Sequence, residues 1–178
     1  MKIKADLTRL ISLILISSLI LASSCKKKEI EPVSNTENIA VEVGATAPNF
    51  TLKDPNNKDI SLIDFRGDII LVEFWASWCG ICQDKSDDIL ALYNQYHPMG
   101  FDILGVSIDE NKTEWLSAIE EDGLIYNNVI TTNGVQSEVP TTYGIQGVPT
   151  MILIDENGII LLITHSEEEL KEQLKRYY

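Results

Sequence analysis

An α/β sandwich, a mixed sheet with helices on its faces, is the fold class this sequence predicts, and three stretches predict it. "DIILVEFW" (68–75) and "FDILGVSID" (101–109) are continuous apolar runs, the pattern of central strands buried on both faces. A helix-period segment lies between them, which makes a strand, helix, strand unit with a parallel crossover. "PTMILIDENGIILLIT" (149–164) is two more apolar strands joined at Asp155-Glu156-Asn157-Gly158, so this pair is antiparallel.

Along the chain, Lys2, Lys4 and Arg9 precede an apolar run from Leu10 to Leu21 and the small residues Ala22, Ser23 and Ser24. That is the layout of an export signal, too short for a comfortable membrane span. "LASSC" resembles the lipobox of bacterial lipoproteins, with Ala22 where leucine is usual, and the resemblance implies that Cys25 becomes the lipid-bearing first mature residue. Several acyl chains on one cysteine anchor a protein stably. Residues 26–43, "KKKEIEPVSNTENIAVEV", are charged, lack aromatics and show no period. They read as a flexible tether. The expected organisation is therefore a signal peptide (1–24), a lipid-anchored tether (25–43) and one domain (44–178), long enough to bury a core.

Within the domain, "FTLKDPNNKDISLIDF" places two short alternating stretches around Pro55-Asn56-Asn57, a small hairpin. After the first central strand, Ile81, Ile89, Leu92, Tyr93 and Tyr96 fall mostly on one helical face, and His97-Pro98-Met99-Gly100 ends that helix. "NKTEWLSAIEEDG" predicts a helix with Trp115, Leu116 and Ile119 inward, closed by Gly123. "SEEELKEQLKRYY" opens with Ser166 as N-cap and Glu169 three residues on, a capping box, and carries Lys171, Lys175 and Arg176 toward its negative end.

The formal charge of −13 becomes −15 once residues 1–24, with Lys2, Lys4, Arg9 and Asp6, are removed. Such a surface disfavours nucleic acid and repels anionic headgroups. With Cys25 lipidated, Cys79 and Cys82 are the only thiols left of three, so no framework of structural disulfides is possible. Outside the cytosol a pair of thiols can hold and exchange a disulfide.

The pair lies in "EFWASWCGIC", where a strand gives way to a helix. Unpaired N–H groups and the positive end of the helix dipole then face the Cys79 sulfur and stabilise its thiolate, the reactive form. Cys82 follows about one turn later, near enough to close a disulfide or to resolve a mixed one formed at Cys79. Glu73 interrupts an apolar strand, where burial raises a carboxyl's pKa and suits it to accept a proton from Cys82, directly or through water; the plainer reading is a strand-end side chain that reaches solvent. Trp75 and Trp78 are packing residues or, for Trp78, a hydrophobic platform at the site.

"ILVEFWASWCGIC" and "YGIQGVPTMILIDENG" together resemble the thioredoxin superfamily, and more closely its exported, membrane-tethered TlpA/ResA branch. "GATAPNFTLKD" and "GVSIDENKTEWLSAIEEDG" look like that branch's N-terminal hairpin and central insertion, so the resemblance spans 44–178. It implies a three-layer thioredoxin-like sandwich without cofactor, with Cys79 as nucleophile, Cys82 as resolving thiol, and Glu73 as the buried acid of thioredoxin proper, where many TlpA and ResA proteins have asparagine. It also implies that Pro149 is the cis-proline opposite the disulfide, and that Val148 pairs with an extended client beside Trp78, Gly80 and Ile81. Two positions depart: Ile81 replaces the proline common before the second cysteine, and Lys85 stands where ResA-like proteins often carry glutamate.

The implied activity is thiol:disulfide exchange, favoured as reduction of disulfides in envelope proteins such as apocytochrome c, with electrons from a membrane thiol donor. Lys26, rather than aspartate, after Cys25 points by analogy to the outer membrane, facing the periplasm. Rival readings are an oxidase or isomerase using the same site, a thiol peroxidase, and a non-enzymatic binding module. Peroxiredoxins share the "APNFTL" opening, but their activating Thr or Ser and their Pro are replaced by Ala76 and Val72. A zinc site needs about four ligands. The pair supplies two, and His97 and His165 read more simply as loop and strand-end residues, so no metal is expected.

Overall fold

A computed structural model describes residues 41–178; the export segment, Cys25 and most of the predicted tether lie outside the described residues. The chain opens with the predicted hairpin, β1 (Thr51–Lys53) and β2 (Asp59–Ser61), paired antiparallel from Thr51↔Ser61 to Lys53↔Asp59. Asp54 stabilises the turn by accepting the N–H groups of Asn56 and Lys58. Leu62–Phe65, expected to continue the second strand, coils into a 3-10 turn because Asp64 accepts the Ser61 N–H and closes it locally.

The central strand β3 (Ile69–Trp75) is buried at every residue, as a continuous apolar run demands. Helix α1 (Gly80–Tyr96) follows, ends at a short 3-10 turn and the left-handed Gly100 (φ 95°), and leads into β4 (Phe101–Ser107), parallel to β3 over its whole length. Ile81, expected inward, faces solvent. The helix buries Cys82, Ile89, Leu92 and Tyr96 instead, a stripe that begins one residue later.

Helix α2 (Lys112–Glu121) is capped by the Asn111 side chain, which accepts the N–H of Thr113. Trp115 and Ala118 face the core and Leu116 does not. Strand β5 (Asn127–Ile130) then pairs parallel with β4 and meets β1 at Lys53↔Ile130, which carries the hairpin onto the sheet. The five-residue helix α3 (Glu138–Thr142) precedes β6 (Thr150–Ile154), antiparallel to β3, and β7 (Ile160–Thr164), antiparallel to β6. The mixed sheet has seven strands in the order β2-β1-β5-β4-β3-β6-β7.

Helix α4 (Glu167–Tyr177) closes the chain. Ser166 caps it by accepting the Glu169 N–H, but the expected reciprocal bond is rerouted. Thr164 Oγ1 donates to the Glu169 carboxylate and itself accepts the Ser166 N–H, so the hydroxyl stands between the two halves of the box. The predicted mixed sheet flanked by helices is thus the observed one. The core is continuous through β3, β4 and β6, with Phe74, Phe101 and Trp115 buried to below 2 % exposure. Among the described residues no helix is long and apolar enough to cross a membrane.

Candidate active site

Three buried strand ends, those of β3, β4 and β6, bring their loops together at one edge of the sheet. Past Trp75 the chain turns through Ala76, Ser77 and Trp78 to Cys79, which has extended backbone angles (φ −87°, ψ 94°) and is the N-cap of α1. Its Sγ accepts the Cys82 N–H at 3.2 Å, doing for this helix what a serine oxygen does elsewhere. Cys79 and Cys82 form a disulfide, their Cα atoms 5.2 Å apart. The Val148–Pro149 peptide is cis, and the Val148 carbonyl oxygen lies 3.8 Å from Cys79 Sγ.

The loop before Cys79 is held by a residue that sequence reasoning did not single out. Asp109, just beyond β4 and 1 % exposed, accepts the Ser77 N–H (3.0 Å), the Ser77 hydroxyl (2.8 Å) and the Ser107 hydroxyl (2.7 Å). Gln83 on α1 donates to the Ser77 carbonyl at 3.0 Å. The carboxylate therefore ties the β3 loop to β4, and the amide ties it to the active-site helix.

Glu73 is buried in β3, 5 % exposed, between Gly105 of β4 and Met151 of β6 in the sheet register. Burial pushes its carboxyl up to about 7, partly offset by the Tyr126 hydroxyl, which donates to Oε2 at 3.3 Å. Tyr126 in turn packs on Tyr93 of α1, ring centroids 5.8 Å apart. Cys82 and Tyr93 are separated by eleven positions, about three turns, so they share one face of α1, and Tyr93 meets Tyr126, the partner of Glu73, on that face. The solvent-reaching alternative for Glu73 is excluded by its burial.

Around the disulfide the surface is apolar and open. Cys79 is only 8 % exposed, whereas Trp78 and Ile81 are each 64 % exposed. Trp75, by contrast, is a core residue, which separates the roles of the two tryptophans. A side chain at Gly80 or Gly147 would meet nothing within 4 Å, so backbone can be approached closely at both. A groove of about 470 Å³ runs from Trp78 and Gly147 past Val135 to Glu110 and Glu114. Lys85 lies farther along α1 and binds Glu167 at the start of α4 at 3.1 Å. Burial raises the Glu167 carboxyl, but bonds from Lys171 and Lys85 outweigh it and hold the carboxyl below its usual range.

His97 Nδ1 is bonded to the Phe101 carbonyl and His165 Nδ1 to the Pro149 carbonyl, each at its own strand end. Among the described residues no group of three His, Cys, Asp or Glu side chains is placed to hold a metal.

A Cys-x-x-Cys disulfide at a helix N-terminus, beside a cis X-Pro bond on a mixed α/β sheet, defines a thioredoxin-like protein. The AhpC/TSA family matches residues 43–163, and the chain belongs to it. The thiol-disulfide oxidoreductase ResA of Geobacillus thermodenitrificans (strain NG80-2) is 36 % identical over 143 residues, covering 79 % of this chain and 80 % of that protein. Among solved structures, the thioredoxin domain of a thiol-disulfide oxidoreductase from Bacteroides vulgatus aligns with a TM-score of 0.72 at 33 % identity, over 78 % of this chain and 99 % of that one. A thiol-disulfide oxidoreductase from Bacteroides fragilis NCTC 9343 aligns at 0.70 and 32 % identity, over 75 % and 99 %. The chain is similar to all three and is an enzyme of the oxidoreductase class.

Proposed function

We propose that this protein reduces disulfides in proteins of the cell envelope, apocytochrome c among the candidate clients, and is recharged by a membrane thiol donor. In this reading residues 1–24 are a signal peptide, Cys25 carries the lipid, residues 25–43 are the tether and 44–178 the working domain, held on the outer membrane and facing the periplasm. The observation that carries the chemistry is the Cys79 sulfur at the N-cap of α1, accepting the Cys82 N–H beside the Val148 carbonyl. A group that accepts hydrogen bonds from a helix N-terminus is stabilised as an anion.

The reduced enzyme begins as a Cys79 thiolate. It attacks one sulfur of a client disulfide, and the other client sulfur leaves as a thiolate that takes up a proton. Cys82 gives its proton to the Glu73 carboxylate, directly or through water, and its thiolate attacks Cys79 Sγ. The second client thiolate departs and is protonated, and the Cys79–Cys82 disulfide remains. Two electrons have passed to the client. A dithiol donor must return two to the enzyme.

A carboxyl near 7 is partly ionised at neutral pH, so Glu73 can both accept and return the proton. Trp78, Gly80 and Ile81 offer the client an apolar, open landing, and Val148 offers a backbone edge for an added strand. Peroxidase chemistry is disfavoured because Val72 and Ala76 are fully buried and bring no hydroxyl to the site.

The direction is tested by equilibrating the purified protein with glutathione and dithiothreitol buffers and reading the Cys79–Cys82 couple. A potential near thioredoxin's roughly −270 mV supports the reductase. One near roughly −120 mV makes the same cysteines an oxidant or isomerase and overturns the reading.

A further inference from the structure

We infer that His165 is a positioning residue for client binding, holding the Gly147–Thr150 segment in place against the disulfide. The inference rests on the reading that an extended client pairs along Val148. It adds the group that keeps this edge where Cys79 can use it.

The β6–β7 ladder ends at Met151↔Thr164, so Pro149 and its carbonyl lie beyond the last paired residues. The next backbone donor on the β7 side is turned away, since the Ser166 N–H goes to Thr164 Oγ1 and the chain starts α4 there. Among the described residues no backbone N–H donates to the Pro149 carbonyl. The His165 ring does so, with Nδ1 at 2.8 Å from the Pro149 oxygen.

The neighbouring bonds settle which nitrogen carries the proton. A carbonyl can only accept, so Nδ1 must donate to Pro149. Thr150 Oγ1, 3.3 Å from the same nitrogen, donates its own hydrogen to the Gly147 carbonyl at 2.7 Å. Nδ1–H is therefore shared between two acceptors, the nearer being Pro149. The network bonds the carbonyls on either side of Val148, those of Gly147 and Pro149. The Val148 carbonyl between them lies 3.8 Å from Cys79 Sγ. Fixing the flanking peptides leaves that one free to meet a client at a constant distance from the sulfur.

Histidine at this place acts on geometry and not on thiol chemistry, which separates it from a residue that tunes the cysteines. Removing the donor loosens the edge and weakens capture of a polypeptide. A disulfide that brings no backbone does not sense the change.

The test compares the wild-type protein with His165→Ala and His165→Asn, whose side-chain amide can present an N–H near the position of Nδ1. Each, in reduced form, is reacted with a disulfide-closed peptide and with hydroxyethyl disulfide, and each is equilibrated with glutathione. In His165→Ala the peptide concentration for half-maximal rate rises roughly five- to tenfold. The hydroxyethyl disulfide rate and the glutathione equilibrium stay within about twofold, and His165→Asn returns the peptide value to within about twofold of wild type. Amide hydrogen exchange at Val148 and Thr150 quickens in His165→Ala and is restored in His165→Asn.

An unchanged peptide concentration in His165→Ala overturns the inference, as does an equal loss with hydroxyethyl disulfide or a folded His165→Asn that behaves like His165→Ala. If the wild type reduces neither disulfide, the proposed function falls, and the amide exchange alone still decides whether His165 holds the segment.

Discussion

The Tyr126 hydroxyl donates to Glu73 Oε2 across 3.3 Å inside the core, between two side chains that stand 53 positions apart in the chain. Burial and this bond act on the carboxyl in opposite senses, and burial dominates, leaving it near 7. Tyr126→Phe removes the lowering influence and keeps the ring. The expected result is a further rise in the Glu73 pKa of roughly half a unit to one unit. It is read as the same upward displacement in the pH profile of Cys82-dependent release of a mixed disulfide. A profile that stays in place would detach Glu73 from that step.

Glu73 also makes stability depend on pH. Its folded pKa of about 7 lies above the 4.5 of an exposed glutamate, so below about 4.5 both states hold the proton and nothing is lost. As pH rises from 4.5 toward 7 the unfolded carboxyl ionises first, and stability falls until the folded one ionises as well. The full loss above that window is about 3 kcal/mol. Glu73→Gln abolishes it. Chemical denaturation of the oxidised protein should show the variant gaining on wild type between pH 5 and 8, with little gain at pH 4.

What could be read from the sequence followed the strength of local signals. β3, β4 and β6 are dominated by apolar, β-prone residues, and a Cys-x-x-Cys at a strand-to-helix junction is a local pattern, so core and disulfide were both legible. β5 was not, because Asn127 and Asn128 fill half of a four-residue strand that owes its place to β4 on one side and the hairpin on the other. α3 carries Pro140 within five residues and has no period to detect. Ile81 falls outside the expected face because Cys82, the next residue on the helix, turns inward to bond Cys79 and so leaves Ile81 about a quarter turn round in solvent. Tyr126, Asp109 and His165 act through contacts 53, 32 and 16 positions away, which no window of sequence displays.

The two cysteines should fail differently. Cys79→Ser removes the attacking sulfur and abolishes exchange with a client disulfide. Cys82→Ser leaves attack intact and removes resolution, so the client accumulates as a mixed disulfide on Cys79. Non-reducing electrophoresis after mixing with an oxidised client distinguishes them: a band shifted by the client's mass for Cys82→Ser and none for Cys79→Ser. Equal trapping by both variants would reverse the assigned order.

Lys85 binds Glu167, so the charge that departs from the ResA-like pattern here joins α1 to α4. Lys85→Glu sets a new carboxylate against the largely buried Glu167, to which Lys171 stays bound. Since the Lys85 side chain is about half exposed, the expected destabilisation is modest, about 1 kcal/mol, and shrinks at high salt. Denaturation at low and high ionic strength measures both.

Asp109 gives a sharper case, because its carboxylate is buried and every bond it accepts comes from a donor held in place. Ser77 N–H, Ser77 Oγ–H and Ser107 Oγ–H all point at its two oxygens. Asp109→Asn keeps the shape but turns one acceptor into an NH₂ group that faces donors, so at least one buried hydrogen bond is lost and another donor is opposed. The cost is about 2–3 kcal/mol, against about 1 kcal/mol for Ser77→Ala, which deletes a single hydroxyl. Because Ser77 lies two residues before Cys79, the same substitution loosens the N-cap sulfur and slows exchange with a client, whereas Ser77→Ala keeps the backbone N–H bond and most of the rate. Denaturation midpoints and single-turnover rates on one set of samples check both arms. An Asp109→Asn variant with wild-type stability would show that the loop is held by something other than this carboxylate.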